Sequence, residues 1–288
     1  MAHPLIECVA NFSEGRDARI VQDIEQAIRA VQGVMLLRSE MDPDHNRAVI
    51  MFAGPPEQVA EGALQGIAVA VEKIDLRRHT GVHPRIGAAD VVPFVPLDGA
   101  TLKDCAAIAR RTGEEVWKRL GVPVYFYEAA SSSPERAPLE NVRRGGFERP
   151  ALAPDLGGPT LHPSAGACAI GARKLLIAFN VNLNTTDLSI AKAIARKIRA
   201  SSGGLPYVKA MGVPLASRNL VQVSMNLTDF EQTPLRQVYE TVSNEAAARG
   251  ASVAGTQIVG LVPRSAAAGC EFIDSGQILE DRIAQTRT

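Results

Sequence analysis

The sequence predicts an α/β (α+β) fold of two related subdomains, each a sheet layered with helices, with a ligand cleft between them. Short apolar runs alternate along the chain with longer segments in which apolar residues recur at helical spacing. The 288 residues are enough to form two compact cores. The order of strands and helices recurs in the second half, which indicates two halves of similar construction.

The first half is predicted to begin with a strand, a helix, two strands and a second helix. Residues 18–31 carry apolar side chains every three or four positions, which is the spacing of one helix face. Thr101 and Asp104 have the spacing of a capping box, and Gly121 can end the helix that they start. The predicted elements are strand 5–9, helix 18–31, strand 34–37, strand 48–53, helix 57–74, strand 91–96, helix 101–120 and strand 122–127.

The second half repeats this alternation of strands and helices. Ile190, Ile194 and Ile198 share one face of a predicted helix, which Gly203 and Gly204 end. Apolar runs on either side of it predict strands. The predicted elements are strand 174–181, helix 187–200, strand 220–225 and helix 235–249.

One strand-to-helix joint recurs along the chain. Residues 9–14 (VANFSE) are similar to residues 224–229 (SMNLTD), and residues 182–187 (NLNTTD) form a looser third copy. Asn, Ser, Thr and Asp accept hydrogen bonds from free N–H groups at helix starts, so capping explains most of the repetition. The repetition also indicates that the two halves are related.

A long segment with little periodicity separates the two halves. Residues 131–163 are rich in Ser, Pro, Gly and Arg, and long segments of this kind are usually functional or mobile. We therefore expect an N-terminal subdomain at residues 1–130, a linking segment at 131–170 and a C-terminal subdomain at 171–288.

Composition and charge exclude several classes of protein. The chain has 31 basic and 31 acidic residues, so broad electrostatic attraction to nucleic acid or to an anionic membrane is not its main activity. No apolar run approaches the ~20 residues of a membrane span, and residues 1–7 lack the pattern of a signal peptide. The four cysteines are far apart and form no CxxC pair, which favours the reducing cytoplasm.

Residues 77–90 are the densest group of chemically active side chains. The segment holds two of the five histidines, three arginines and one aspartate within fourteen residues. Histidine exchanges a proton near neutral pH, and arginine can hold a carboxylate through two parallel bonds. An exposed polar loop would explain any one of these residues alone, but the cluster predicts a functional loop.

A metal site in this loop has weaker support. His79 and His83 are four residues apart, which is the spacing of zinc ligands on one helix face. Gly81 and Pro84 oppose a helix there, so no metal is expected. A metal hydrolase that uses His79, His83 and Asp90 is kept as an alternative.

Other candidate binding residues lie outside this loop. His45 alone is best explained as a turn residue, whereas Arg47 precedes an apolar strand and can reach over its end. Residues 157–166 are rich in glycine, which allows close approach of the backbone to a ligand. Residues 166–171 imitate the glycine spacing of a phosphate loop, but Ala172 and Arg173 follow where that motif requires Lys and then Ser or Thr, so a nucleotide site is excluded. Arg173 faces an anion or lies at a strand edge.

Five stretches of the sequence resemble the motifs of the formiminotransferase domain family, and they occur in the same order. The resemblance runs from about residue 5 to residue 263. The matching stretches are residues 7–15 (ECVANFSEG), 83–88 (HPRIGA), 122–129 (VPVYFYEA), 171–174 (GARK) with 178–180 (AFN), and 223–229 (VSMNLTD).

The resemblance implies a tetrahydrofolate-dependent transferase of histidine degradation. Members of this family move the formimidoyl group from N-formimidoyl-L-glutamate to N5 of tetrahydrofolate and release L-glutamate. Tetrahydrofolate would be a co-substrate, and no metal is implied. The resemblance also implies a cytoplasmic homodimer with folate in the cleft, in the stand-alone form rather than the form fused to a cyclodeaminase.

The resemblance also assigns roles to individual residues. The catalytic histidine of the His-Pro-Arg motif is His83 here, and the residue before it is Val82, where animal members carry Glu. Residues 160–162 (TLH) and an apparent extra glycine depart from the animal pattern of the folate segment. The implied folate-contacting residues are Gly157, Gly158, Pro159, Thr160, Leu161, His162, Pro163, Ser164, Ala165 and Gly166.

The residues present suit this chemistry. Attack by an amine on an amidinium carbon requires loss of a proton, which His83 can accept and later return to the leaving amine. Arg47, Arg85 and Arg173 can orient the substrates' carboxylates. Two alternatives remain: a folate-dependent enzyme with another donor such as 5-formyltetrahydrofolate, and a non-catalytic folate-binding protein.

Overall fold

The computed structural model describes residues 4–287 of the chain. The chain divides into two compact units, Met1–Lys174 and Leu175–Thr288. Residues 1–3, on which the signal-peptide prediction partly rests, lie outside the described residues, and so does residue 288 at the end of the predicted C-terminal subdomain.

The first unit is built on a mixed sheet of six strands in the order β2-β3-β1-β4-β6-β5. β1 pairs antiparallel with β3 and with β4, whereas β6 pairs parallel with β4 and with β5. The strands are β1 (Leu5–Phe12), β2 (Met35–Asp42), β3 (Arg47–Gly54), β4 (Ala89–Asp98), β5 (Val124–Glu128) and β6 (Cys168–Ala172).

Helices cover one face of this sheet. Ile6, Cys8 and Phe12 of β1 are buried in one cluster with Ile24 of α1 and Ile67 of α2. Because strand side chains alternate between faces, the odd-numbered residues of β1 project from the opposite face. The helices on this face are α1 (Ala18–Arg29), α2 (Pro56–Lys73) and α3 (Leu102–Leu120), whereas Val142 of the short α4 (Leu139–Val142) is buried with Tyr125 in a separate cluster.

Residues 131–170, predicted as a linking segment, belong to the first unit. Leu139, Leu152 and Leu161 pack against a buried group that includes Val91 and Tyr125. The segment then enters β6, which lies between β4 and β5 in the sheet. The first unit therefore includes the predicted linking segment and ends at Lys174, and the second begins at Leu175, close to the predicted start of the C-terminal subdomain at residue 171.

The second unit is an antiparallel sheet of four strands in the order β10-β7-β9-β8. Phe179 and Val223 of the sheet are buried with Ile194 of α5 and Val238 of α6. The elements are β7 (Ile177–Leu183), α5 (Leu188–Ile198), β8 (Val208–Leu215), β9 (Leu220–Leu227), α6 (Leu235–Ala247), β10 (Val253–Val259), α7 (Arg264–Ala267) and α8 (Leu279–Arg287).

The predicted fold class is confirmed, since each unit is a sheet layered with helices. The sequence prediction omitted β6, β8 and β10. β6 is a run of small residues, β8 contains Gly212 and Pro214, and β10 contains Gly255, so none has the apolar alternation that marks a strand. No helix within residues 4–287 combines the length and the apolar character that a membrane span requires.

The predicted capping box at the start of α3 is confirmed. The hydroxyl of Thr101 accepts a hydrogen bond from the backbone N–H of Asp104 at 3.2 Å, and the Asp104 carboxylate accepts one from the backbone N–H of Thr101 at 2.9 Å. Gly121 ends the helix at a φ of 64°, a left-handed conformation that glycine adopts without strain.

Removal of this cap provides a test of the fold. We expect Thr101→Ala to lower the free energy of unfolding of the first unit by about 1 kcal/mol, because one helical N–H group loses its acceptor. Trp117 is the only tryptophan of the chain and lies in α3, so its fluorescence during urea unfolding reports on this unit. Thr101→Ser is the matched control and should keep the wild-type midpoint; equal midpoints for the alanine and serine variants would contradict the prediction.

Candidate active site

Three predicted motifs meet at one end of the sheet in the first unit. Phe12, the last residue of β1, pairs with Ala48 near the start of β3 and with Ala89 at the start of β4. The segment after β1, the turn before β3 and the loop before β4 therefore emerge side by side. These are residues 13–15, 43–46 and 77–88.

Asn46 joins these three segments. Its side-chain oxygen accepts from the backbone N–H of Gly15, and its side-chain nitrogen donates to the carbonyl of Thr80, both at 2.9 Å. Its own carbonyl accepts from Nε2 of His79 at 2.8 Å. Asn46 has a φ of 48°, a left-handed conformation that asparagine adopts more readily than most residues. The sequence alone indicates only a turn residue at this position.

His83, the predicted catalytic histidine, lies against Arg47. Nη1 of Arg47 lies 2.9 Å from Nδ1 of the imidazole and also contacts Nε2, while Nη2 donates to the side-chain oxygen of Asn11. Nδ1 of His83 lies 2.7 Å from the carbonyl oxygen of Pro84. A ring nitrogen that donates to a carbonyl carries the proton, so this contact assigns the lone pair to Nε2.

The surroundings of His83 favour the neutral imidazole. Burial, followed by the positive charges of Arg47 and Arg143, lowers the pKa of His83 well below its usual value of 6.5. The His45 ring, whose centroid is 6.0 Å away, lowers the pKa further, and the hydrogen bond to Pro84 partly opposes these effects. His83 is therefore neutral at pH 7 and can accept a proton.

Arg143 forms a buried ion pair with Asp90 at this site. Nη2 of Arg143 donates to Asp90, and the two side chains are 13% and 3% exposed. The other carboxylate oxygen of Asp90 accepts from the backbone N–H of Ile86 at 2.8 Å. Arg143 was not predicted from the sequence, because it lies in the aperiodic segment and only the fold brings its charge close to His83.

Arg85 connects the functional loop to the segment around Glu148. Its Nη2 donates to the carbonyl of His79 at 3.2 Å and to the carboxylate of Glu148 at 2.9 Å. The Arg85 side chain is half-buried, and protein acceptors engage this nitrogen. Its predicted contact with a substrate carboxylate remains a prediction.

The predicted folate segment, residues 157–166, ends against the His83 loop. The carbonyl of Ser164 accepts from the N–H of Leu76 at 2.8 Å, and that of Ala165 accepts from the N–H of Ala88 at 2.9 Å. His162 closes the turn, because its Nδ1 accepts from the N–H of Ala165 at 3.0 Å. The structure thus brings these two predicted segments together, and residues 157–160 are exposed.

Arg173 lies near Glu7, a buried acidic residue of β1. Its positive charge partly offsets the burial that raises the pKa of Glu7 to about 7. Glu7 and Asn11 are both odd-numbered residues of β1, so they share a face of the sheet about 13 Å apart. The charge of Arg173 therefore acts on Glu7. Glu7 belongs to the motif at residues 7–15, but no chemical role was predicted for its carboxyl group.

The residues of the metal alternative have protein partners instead. Asp90 binds Arg143, and Nε2 of His79 donates to the carbonyl of Asn46. Across residues 4–287, no three His, Cys, Asp or Glu side chains are grouped so that they could hold a metal ion.

Comparisons with known proteins identify relatives along most of the chain. The model of the formiminotransferase domain, N-terminal subdomain, matches residues 5–173, and that of the formiminotransferase domain matches residues 178–279. The chain is 44% identical to a glutamate formimidoyltransferase of Thermoplasma acidophilum over 97% of each protein. It is 41% identical to a glutamate formimidoyltransferase of Streptococcus pyogenes serotype M1, over 91% of this chain and 90% of that protein. A formimidoyltransferase-cyclodeaminase of Rattus norvegicus is 42% identical over 91% of this chain and 51% of its own length.

The electrostatics of the site can be tested by titrating the histidine rings by NMR, with the His83 signal assigned from its loss in His83→Gln. We expect His83 to titrate well below pH 6.5, and Arg47→Met to move its pKa upward, because the variant removes a nearby positive charge. Arg111→Met, an exposed arginine of α3, is the matched control and should leave the titration unchanged.

The lowered pKa of His83 also makes the stability of the folded protein depend on pH. Since the unfolded chain binds a proton on His83 at a higher pH than the folded protein, the stability associated with His83 is fully present above about pH 6.5. That contribution is lost as the pH falls from 6.5 toward the folded-state pKa. A His83 pKa at or above 6.5 would contradict the assignment of a neutral imidazole.

Proposed function

This chain belongs to the formiminotransferase domain family, and from that premise we propose that it transfers the formimidoyl group of N-formimidoyl-L-glutamate to N5 of tetrahydrofolate, releasing L-glutamate. The observation that carries the proposal is the half-buried, neutral His83 in contact with Arg47. Relatives of similar length that are 44% and 41% identical bear the name glutamate formimidoyltransferase.

His83 is proposed as the general acid/base. N5 of tetrahydrofolate attacks the formimidoyl carbon with its lone pair, so a carbon–nitrogen bond forms and N5 must lose a proton. Neutral His83 accepts that proton at Nε2. The bond to the glutamate nitrogen then breaks, its electron pair stays on that nitrogen, and His83 returns the proton to it. The imidazole ends the cycle neutral, as it began.

Residues 157–166 are proposed to contact the folate. Their backbone packs against the His83 loop through the hydrogen bonds of Ser164 and Ala165, which supports a position near the acid/base. Gly157 has a φ of 95°, and Gly158 has open space where a side chain would begin, so a flat ligand can approach the backbone there.

Arginines are proposed to orient the carboxylates of the substrates. Arg47 is supported by its contact with His83. Arg85 and Arg173 are supported by their places in the His-Pro-Arg loop and beside Glu7, respectively.

Tetrahydrofolate is the proposed co-substrate, without a metal ion. We also propose that the protein acts in the cytoplasm as a homodimer. The four cysteines, Cys8, Cys105, Cys168 and Cys270, are all buried and free, which suits a reducing compartment. The homodimer rests on the family resemblance, and sedimentation equilibrium measures it directly.

The first experiment is a turnover assay with tetrahydrofolate and N-formimidoyl-L-glutamate that follows both the folate product and released glutamate. We expect wild-type turnover in both channels and a loss of about 10²- to 10⁴-fold in kcat for His83→Ala, because the proton acceptor is removed. Gln237→Ala, on an exposed position of α6, is the control and should retain wild-type turnover. Tetrahydrofolate binding without turnover would contradict the proposal and favour a non-catalytic folate-binding protein.

A second experiment tests the folate segment through His162. We expect His162→Ala to raise the KM for tetrahydrofolate about fivefold, since loss of one hydrogen bond of about 1 kcal/mol loosens the turn. His162→Asn keeps an acceptor at the corresponding position and should restore most of the wild-type KM. An unchanged KM in His162→Ala would argue against folate binding by this segment.

A further inference from the structure

We propose that Arg143 and Arg47 together bind the α-carboxylate of N-formimidoyl-L-glutamate beside His83. The proposal rests on the proposed function and assigns a donor subsite to it. Arg143 belongs to none of the motifs that carry the family resemblance.

The charge balance around Arg47 favours a bound anion. Burial, and next the positive charge of Arg143, lower the pKa of Arg47 to about 9, while Asp90 and Tyr127 oppose this shift. Burial raises the pKa of Tyr127, and His83 is neutral, so Asp90 is the only anion among these groups at pH 7. Asp90 therefore neutralises one guanidinium and leaves one half-buried positive charge without a counter-ion among these groups. A charge of this kind is costly unless a ligand pairs with it.

The hydrogen-bond donors of the two guanidiniums are only partly used. Nη1 and Nη2 of Arg47 bind His83 and Asn11, and Nη2 of Arg143 binds Asp90. Nε of each guanidinium is buried and has no acceptor in the described part of the chain. A carboxylate has two oxygens with about four lone pairs and can accept from both guanidiniums at once.

Asp90 holds Arg143 in place before substrate binds. One oxygen of Asp90 accepts from Arg143, and the other accepts from the N–H of Ile86, three residues after His83. Arg143 is thus tied to the loop that carries the proposed acid/base. A preorganised guanidinium loses little conformational entropy when it binds a carboxylate.

The structure of the donor identifies which carboxylate binds there. The formimidoyl carbon is attached to the α-nitrogen, so three bonds separate it from the α-carboxylate and five from the side-chain carboxylate. His83 must reach the atoms that react, and Arg47 touches His83. A carboxylate on Arg47 and Arg143 is therefore the one nearer to the reacting carbon.

Binding of this carboxylate would also prepare the base. In the structure Nη1 of Arg47 contacts Nε2 of His83, the nitrogen assigned the lone pair. A carboxylate competes with the imidazole for the Arg47 guanidinium, and this frees the lone pair for the proton of N5. It also offsets the positive charges of Arg47 and Arg143, which makes His83 more basic once the donor is bound.

The test compares three donors with the full-length protein: N-formimidoyl-L-glutamate, its α-carboxamide and its side-chain carboxamide. We expect the wild type to use the α-carboxamide at least about tenfold less efficiently in kcat/KM than the parent donor, because a charged hydrogen bond is lost. In Arg143→Met we expect the KM for the parent donor to rise about 10- to 100-fold. The preference over the α-carboxamide should shrink to about twofold, and the KM for tetrahydrofolate should stay unchanged.

Two further variants separate this role from simple structural damage. Arg144→Met changes the neighbouring exposed arginine, which donates to Asn141, and should leave all three donors at wild-type values. Arg143→Lys keeps a cation beside Asp90 but loses the planar fork, and should retain part of the preference for the free α-carboxylate. The circular dichroism spectrum of Arg143→Lys should match that of the wild type, which shows that the variant is folded.

The outcomes distinguish this proposal from the proposed function. Wild-type turnover that is indifferent to the α-carboxamide, or an Arg143→Met variant that keeps the full preference, overturns the subsite alone. A preference that depends on Arg143 but concerns the side-chain carboxylate overturns its assignment to the α-carboxylate. Absence of transfer from any donor by the wild type overturns the proposed function and the subsite with it.

Discussion

The antiparallel pairing of β1 with both β3 and β4 is the constraint on which the site depends. It places the end of β1 beside the start of both neighbours, so three loops distant in sequence emerge at one end of the sheet. Asn46 then fastens those loops to one another through its side chain and its carbonyl. His83 is held on an irregular loop by contacts from ordered strands, which is how a loop residue acquires a defined position.

Burial of positive charge gives the site its chemical character. Arg47 and Arg143 lie close together, although the positive charge of Arg143 lowers the pKa of Arg47 and both charges lower the pKa of His83. Asp90 partly offsets the electrostatic cost of this arrangement, and the proposed substrate carboxylate would offset the remainder. Burial, together with the same two cations, keeps His83 neutral in the free protein. In the proposed function, one electrostatic arrangement thus serves both the binding of a carboxylate and the readiness of His83 to accept a proton.

The family models and the relatives cover nearly the whole chain. The first model ends at residue 173 and the second begins at residue 178, which agrees with the division of the structure into two units after Lys174. Residues that were predicted together from the sequence are those that lie near one another along it, such as His79 and His83. Asn46 and Arg143 have no functional role in the sequence prediction, because neither lies in the dense cluster of reactive side chains at residues 77–90. Their importance comes from Thr80 and Asp90, residues at distant positions in the chain.

The sequence by itself determined the fold class, most helices and the capping box of Thr101 and Asp104, because these depend on periodicity and on bonds between near neighbours. It also identified His83 as the candidate acid/base through its motif. Tertiary structure decided that small-residue segments such as β6 are strands. The intrinsic strand preference of such residues is weak, and pairing with β4 and β5 supplies the stabilisation. It also decided that Arg143 acts on His83, because a Coulomb interaction depends on distance in space and not on separation along the chain.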